Sequence, residues 1–123
     1  MPVLRPADAI DFRLHGSVFS SLVAPSLGSS QLCGWRLTVP PDMQGAPHRP
    51  DREETLLVLD GALRVTIDGD VAVAGAGDVV LVPPGAHLQV DSGPAGATAW
   101  VTTTVGLQAE LADGTRFDPP WAR

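Results

Sequence analysis

The chain has 123 residues, of which 44% are hydrophobic and 18% charged, enough apolar material for one self-sufficient core and too little charge for a disordered chain. Acidic residues outnumber Lys plus Arg by 14 to 8, and there is no basic run, so neither a nucleic acid nor an anionic membrane surface is an expected partner. Cys33 is the single cysteine and has no internal disulfide partner, MPVLRPADAIDF lacks the apolar stretch of a signal peptide, and no run approaches a membrane span; the expected location is the cytoplasm.

Taken in chain order, PADAIDF near the start and VGLQAELAD near the end are the longest helix-compatible pieces, and neither supports a long amphipathic helix. Between them the chain reads as strands. QLCGWRLTV alternates, with Cys33, Trp35, Leu37 and Val39 on one face and Gly34, Arg36 and Thr38 on the other. ETLLVLDGALRVTIDGD predicts two strands around Gly61, with Leu63, Val65 and Ile67 inward, closing in an Asp-Gly hairpin turn. A short strand from Val71 to Ala74 follows, then the turn GAGD, the strand VVLVP, the turn PPGA, the strand HLQVD, the loop SGPAG and the strand ATAWVTTTV. The 13 glycines and 12 prolines punctuate these segments instead of collecting in a linker. Short strands with turns at such spacing predict an all-β sandwich or a barrel closed against exposed edges. The reading is one domain over 1–123, with an extended, Pro-rich tail over 114–123 whose Phe117 and Trp121 require burial on the barrel wall or on a second subunit.

Chemistry-bearing residues are few. His48 and His87 stand in turn-flanked segments bordering apolar strands, Glu54 opens a strand six residues after His48, and His15 reads as structural or exposed. Imidazole and carboxylate groups brought from separate strands into a barrel are ordinary ligands of a divalent metal. Trp35, on the inward face, is a candidate wall for an apolar or aromatic ligand. Gln44 is a second candidate ligand-binding residue, and Gln44 or Asp51 is an alternative oxygen ligand for a metal. Cys33 reads as a small buried hydrophobe, no serine lies in a nucleophile-elbow context, and GAGDVV precedes no helix that would make it a phosphate loop.

From about Val39 to Asp91 the chain resembles the cupins, a family with a conical β-barrel and two motifs. The stretch from Asp42 to Gly61 is similar to the first, G-x5-H-x-H-x3,4-E-x6-G, with His48 on the first histidine, Glu54 on the glutamate and Gly61 on the closing glycine. The second, G-x5-P-x-G-x2-H, is matched by Gly77, Pro83 and Gly85. Pro50 stands at the family's second histidine, Asp42 replaces the first glycine, and His87 comes one residue early, so that Leu88 holds the nominal ligand position. A one-residue slip in a strand turns a side chain to the other face.

The resemblance implies a double-stranded β-helix or jelly-roll barrel, a small-molecule ligand or substrate, a homodimer, and a divalent metal (Fe, Mn, Ni or Zn) held by His48, Glu54 and His87. It implies either a metal-dependent enzyme of oxygenase, isomerase, decarboxylase or cyclase type, or a metal-free ligand-binding or sensor barrel. Pro50 and the displaced His87 favour the second, but two of the three histidines sit in the motifs, which keeps the first ahead.

Overall fold

The computed structural model describes residues 3–123. Ten strands, all pairings antiparallel, curl into a jelly-roll barrel. They are β1 (Ile10–Leu14), β2 (Ser17–Val23), β3 (Leu32–Val39), β4 (His48–Pro50), β5 (Glu54–Ile67), β6 (Asp70–Gly75), β7 (Val79–Val82), β8 (Leu88–Thr104), β9 (Ala109–Leu111) and β10 (Arg116–Phe117). The sheet runs β1-β2-β3-β8-β4-β9-β10, with β5 also on β8, and β6 and β7 following one another along the far side of β5.

The alternation expected of QLCGWRLTV is present in β3: Cys33, Trp35, Leu37 and Val39 are buried while Arg36 and Thr38 are exposed. Gly34 is also buried, because the ring of Trp100 covers it from outside and would sit 2.5 Å from any Cβ there. Leu63 and Val65 face the core as expected, and Asp68 and Gly69, both at positive φ (49° and 85°), make the two-residue turn from β5 to β6. Positive φ at both central positions matches the twist of the paired strands.

Four expectations change. The two strands expected around Gly61 are one strand, β5, and the loop expected at SGPAG lies inside β8. The two strands bend together where Gly61 (φ 72°) meets Gly96 (φ 67°); a Cβ on Gly61 would lie 2.1 Å from the Gly96 carbonyl oxygen. Glycine lets the backbones approach, so the bend is absorbed without breaking either strand. A register shift on each side of the bend changes which parity faces inward, from Leu56 and Val58 to Leu63 and Val65. In VGLQAELAD, Leu107 and Ala109 are buried on alternate positions, and Ala109–Leu111 becomes β9. PADAIDF divides into a single 3-10 turn, Pro6–Asp8, and the start of β1.

The 114–123 tail packs on its own barrel. After β10 it turns through Pro120–Ala122, where Ser21 Oγ donates to the Trp121 carbonyl (2.7 Å) and Cys33 Sγ to that of Ala122 (3.3 Å). Burial pushes the Cys33 thiol up, which keeps it protonated and suits that donor role. No helix among the described residues is long and apolar enough to cross a membrane.

Candidate functional site

One end of the barrel encloses a cavity of about 650 Å³, within the size range of small-molecule sites. Its body is apolar, built from inward positions of β3, β5 and β8 such as Leu37, Leu56 and Val101. Four of the chain's six aromatic residues join them: Phe19, Trp35, Phe117 and Trp121. The Phe19 and Trp121 rings stack, Trp35 meets Trp121 edge-on with centroids 6.3 Å apart, and Phe117 tilts against it at 5.7 Å. The indole N–H groups of Trp35 and Trp121 are buried with no acceptor among the described residues.

His48 and Glu54 both line this cavity. His48 opens β4, opposite Leu88 of β8 and Leu111 of β9. Its Nδ1 lies 2.9 Å from the Ala46 carbonyl oxygen. A carbonyl only accepts, so Nδ1 carries the hydrogen, and Nε2 of the neutral ring is left as an acceptor. Burial lowers the His48 pKa, opposed by the Ala46 bond. Glu54, opposite Val82 at the start of β5, is 7% exposed. Burial alone pushes its carboxyl up to about 7. A protonated carboxyl donates a hydrogen bond; with His48 Nε2 it places a donor and an acceptor in the same apolar enclosure.

His87 does not join them. Its side chain is exposed and lies outside the cavity, while Leu88, 3% exposed, lines it. The backbone explains the correction: His87 N donates to Asp68 Oδ1 and Asp68 N to the His87 carbonyl, both at 2.9 Å, fastening residue 87 to the β5–β6 turn. With that register held, strand alternation turns residue 88 inward. Pro50 also lines the cavity and offers no donor atom to a metal. Among the described residues no group of three or more His, Cys, Asp or Glu side chains is placed to hold a metal ion. The trio His48, Glu54 and His87 is therefore not assembled, and the residues present do not fit the metal that the motifs imply.

Trp35 and Gln44 line the cavity. Gln44 sits at its mouth, on a loop tied to β8 by Met43 N to Ser92 Oγ and Gly45 N to Asp91 Oδ1, both 2.9 Å. Asp51 points elsewhere, accepting from Gln108 N (2.8 Å). Sequence reasoning missed His15, Phe19, Met43, Gln89 and the tail residues as lining groups. The signal for His15 was available: His15-Gly16 is a second two-residue turn with φ of 51° and 84°, joining β1 to β2 at the cavity mouth. Histidine is among the few non-glycine types enriched in that conformation. Nothing local tells that the tail returns to the mouth.

A family model described as Cupin domain matches residues 35–98. No curated protein matches the chain in sequence. Among solved structures, the polyketide cyclase RemF of Streptomyces resistomycificus is similar at 20% identity and a TM-score of 0.74, over 85% of this chain and 79% of that one. A cupin-superfamily sugar phosphate isomerase of Silicibacter pomeroyi is similar at 22% identity and a TM-score of 0.72, over 91% and 82%. Oxalate decarboxylase of Bacillus subtilis is 19% identical with a TM-score of 0.74; the match spans 92% of this chain and 30% of that one.

Proposed function

The chain belongs to the cupin family, and from that premise we propose that its barrel is a metal-free binding site for a small, largely apolar organic molecule. The observation that carries this reading is the cavity itself. Its walls are apolar and aromatic, its polar groups are few, and Pro50 and Leu88 occupy two of the four positions at which the family's motifs carry ligands. On the cavity wall, the Glu54 carboxyl and His48 Nε2 offer complementary hydrogen bonds to a hydroxyl or carbonyl group. Apolar surface removed from water supplies the affinity, and these two groups fix the orientation. The structural neighbours are named for a cyclisation, an isomerisation and a decarboxylation; at about a fifth identity they share the fold, and their names select no reaction here.

The test is elemental analysis of purified protein after reconstitution with iron, manganese, nickel or zinc. The expected result is no stoichiometric metal. Stoichiometric metal that disappears in both His48→Ala and Glu54→Ala would overturn this reading in favour of a metal-dependent enzyme.

We also propose a homodimer. The support is an open sheet edge: among the described residues β6 and β7 each pair only with β5, and Val71, Val73, Val79 and Leu81 stand exposed beside it.

A further inference from the structure

We infer that the cavity selects an uncharged ligand with a planar aromatic or conjugated ring, and rejects anions of the same size; this rests on the reading of the barrel as a metal-free binding site.

The first support is what the wall lacks. All eight basic residues of the chain are arginines, and none of them lines the cavity; neither does any aspartate. Among the described residues, the ionisable lining groups are His15, His48 and Glu54. Glu54 gives an anion no positive charge in either state: as a carboxylate it repels, and as an acid it offers only one neutral hydrogen bond. His48 already spends Nδ1 on the Ala46 carbonyl (2.9 Å), and its remaining nitrogen presents a lone pair. His15 is exposed at the rim, where water screens it. Trp35 and Trp121 carry indole N–H groups that find no acceptor among the described residues, but these are neutral donors, so a carboxylate or phosphate entering this enclosure would lose its hydration without gaining a cation, a costly form of burial.

The second support is what the wall contains. The stack of Phe19 on Trp121, with Trp35 and Phe117 set at angles to it, gathers four rings around Trp121 in a lining that is otherwise largely aliphatic. A flat ring meets such a wall by stacked and edge-on contacts that a puckered saturated ring does not make.

Three probes of one size separate these claims: 2-naphthol, 2-naphthoate and decahydro-2-naphthol, titrated calorimetrically into the full chain at pH 7.5. 2-Naphthol is expected to bind about tenfold or more tighter than 2-naphthoate, from the unpaired buried charge, and several-fold tighter than the saturated alcohol. Gln44→Arg, at the mouth and outside the packed core, is expected to raise 2-naphthoate affinity about tenfold. Phe19→Leu is expected to narrow the gap between the aromatic and the saturated alcohol. 2-Naphthoate binding as tightly as 2-naphthol to the unsubstituted chain would overturn the charge selection and leave the binding site standing. Equal affinity for the two alcohols would overturn the aromatic preference in the same way. Failure of all three probes to bind would overturn both this inference and the binding-site reading beneath it.

Discussion

Phe19 of β2 and Trp121 of the C-terminal turn stack with ring centroids 3.7 Å apart and planes 11° from parallel, joining residues 102 positions apart into one wall of the cavity. Trp121 is 6% exposed and its carbonyl accepts from Ser21 Oγ at 2.7 Å, so the tail is a structural part of the barrel. Trp121→Ala should cost roughly 3 kcal/mol or more, the range for emptying a buried aromatic site, and should also weaken 2-naphthol binding. Urea denaturation checks the first effect and calorimetry the second. A loss below about 1 kcal/mol would mean that the tail detaches at little cost.

Glu54 sets a pH dependence of definite sign. Its pKa rises from 4.5 to about 7 on burial, so between those values the folded state holds the proton that the unfolded state releases. The stabilising preference for protonated Glu54 is complete below about 4.5 and is lost as pH rises through about 7, on the order of 3 kcal/mol in all. His48, whose pKa is lowered by burial, acts oppositely: its contribution is present above its ordinary 6.5 and is lost as pH falls through the depressed value. Glu54→Gln should therefore be more stable than the parent at pH 8 and remove the decline between pH 5 and 8. Denaturant midpoints measured across that range test it, and an unchanged decline would assign the pH dependence to other groups.

Metal affinity should be recoverable by side chains alone. Leu88 and Pro50 line the same cavity as His48 and Glu54, so Leu88→His combined with Pro50→His places three imidazoles and one carboxylate on its wall. The double variant should bind zinc stoichiometrically where the parent does not. Equilibrium dialysis with elemental analysis measures this, and adding His87→Ala should make no difference in either background.

Assembly is tested at the open edge. Val73 and Leu81 are 71% and 57% exposed on β6 and β7. Light scattering after size exclusion should report a dimer for the parent and a monomer for the Val73→Lys, Leu81→Lys double variant, because a charge pair repeated across a two-fold contact opposes closure. A parent that is monomeric at micromolar concentration would remove the proposal.

The barrel was legible in the sequence because its strands announce themselves locally: period two in 32–39, the Asp68-Gly69 turn, and glycine or proline between apolar runs. The continuity of β5 and β8 was not legible. A glycine that ends a strand and one that lets two strands bend together look alike until Gly61 is seen against Gly96. The site divided along the same line. Alternation placed Trp35 inward, and the motif frame pointed to His48 and Glu54, which both reach the cavity. Whether residue 87 or 88 faces inward was decided by the Asp68–His87 hydrogen bonds, a tertiary contact between segments nineteen residues apart. The aromatic wall likewise exists only because the tail returns to β2 and β3. Local spacing determines which way a side chain alternates along its own strand; the packing of distant segments decides the phase of that alternation and what meets it across the cavity.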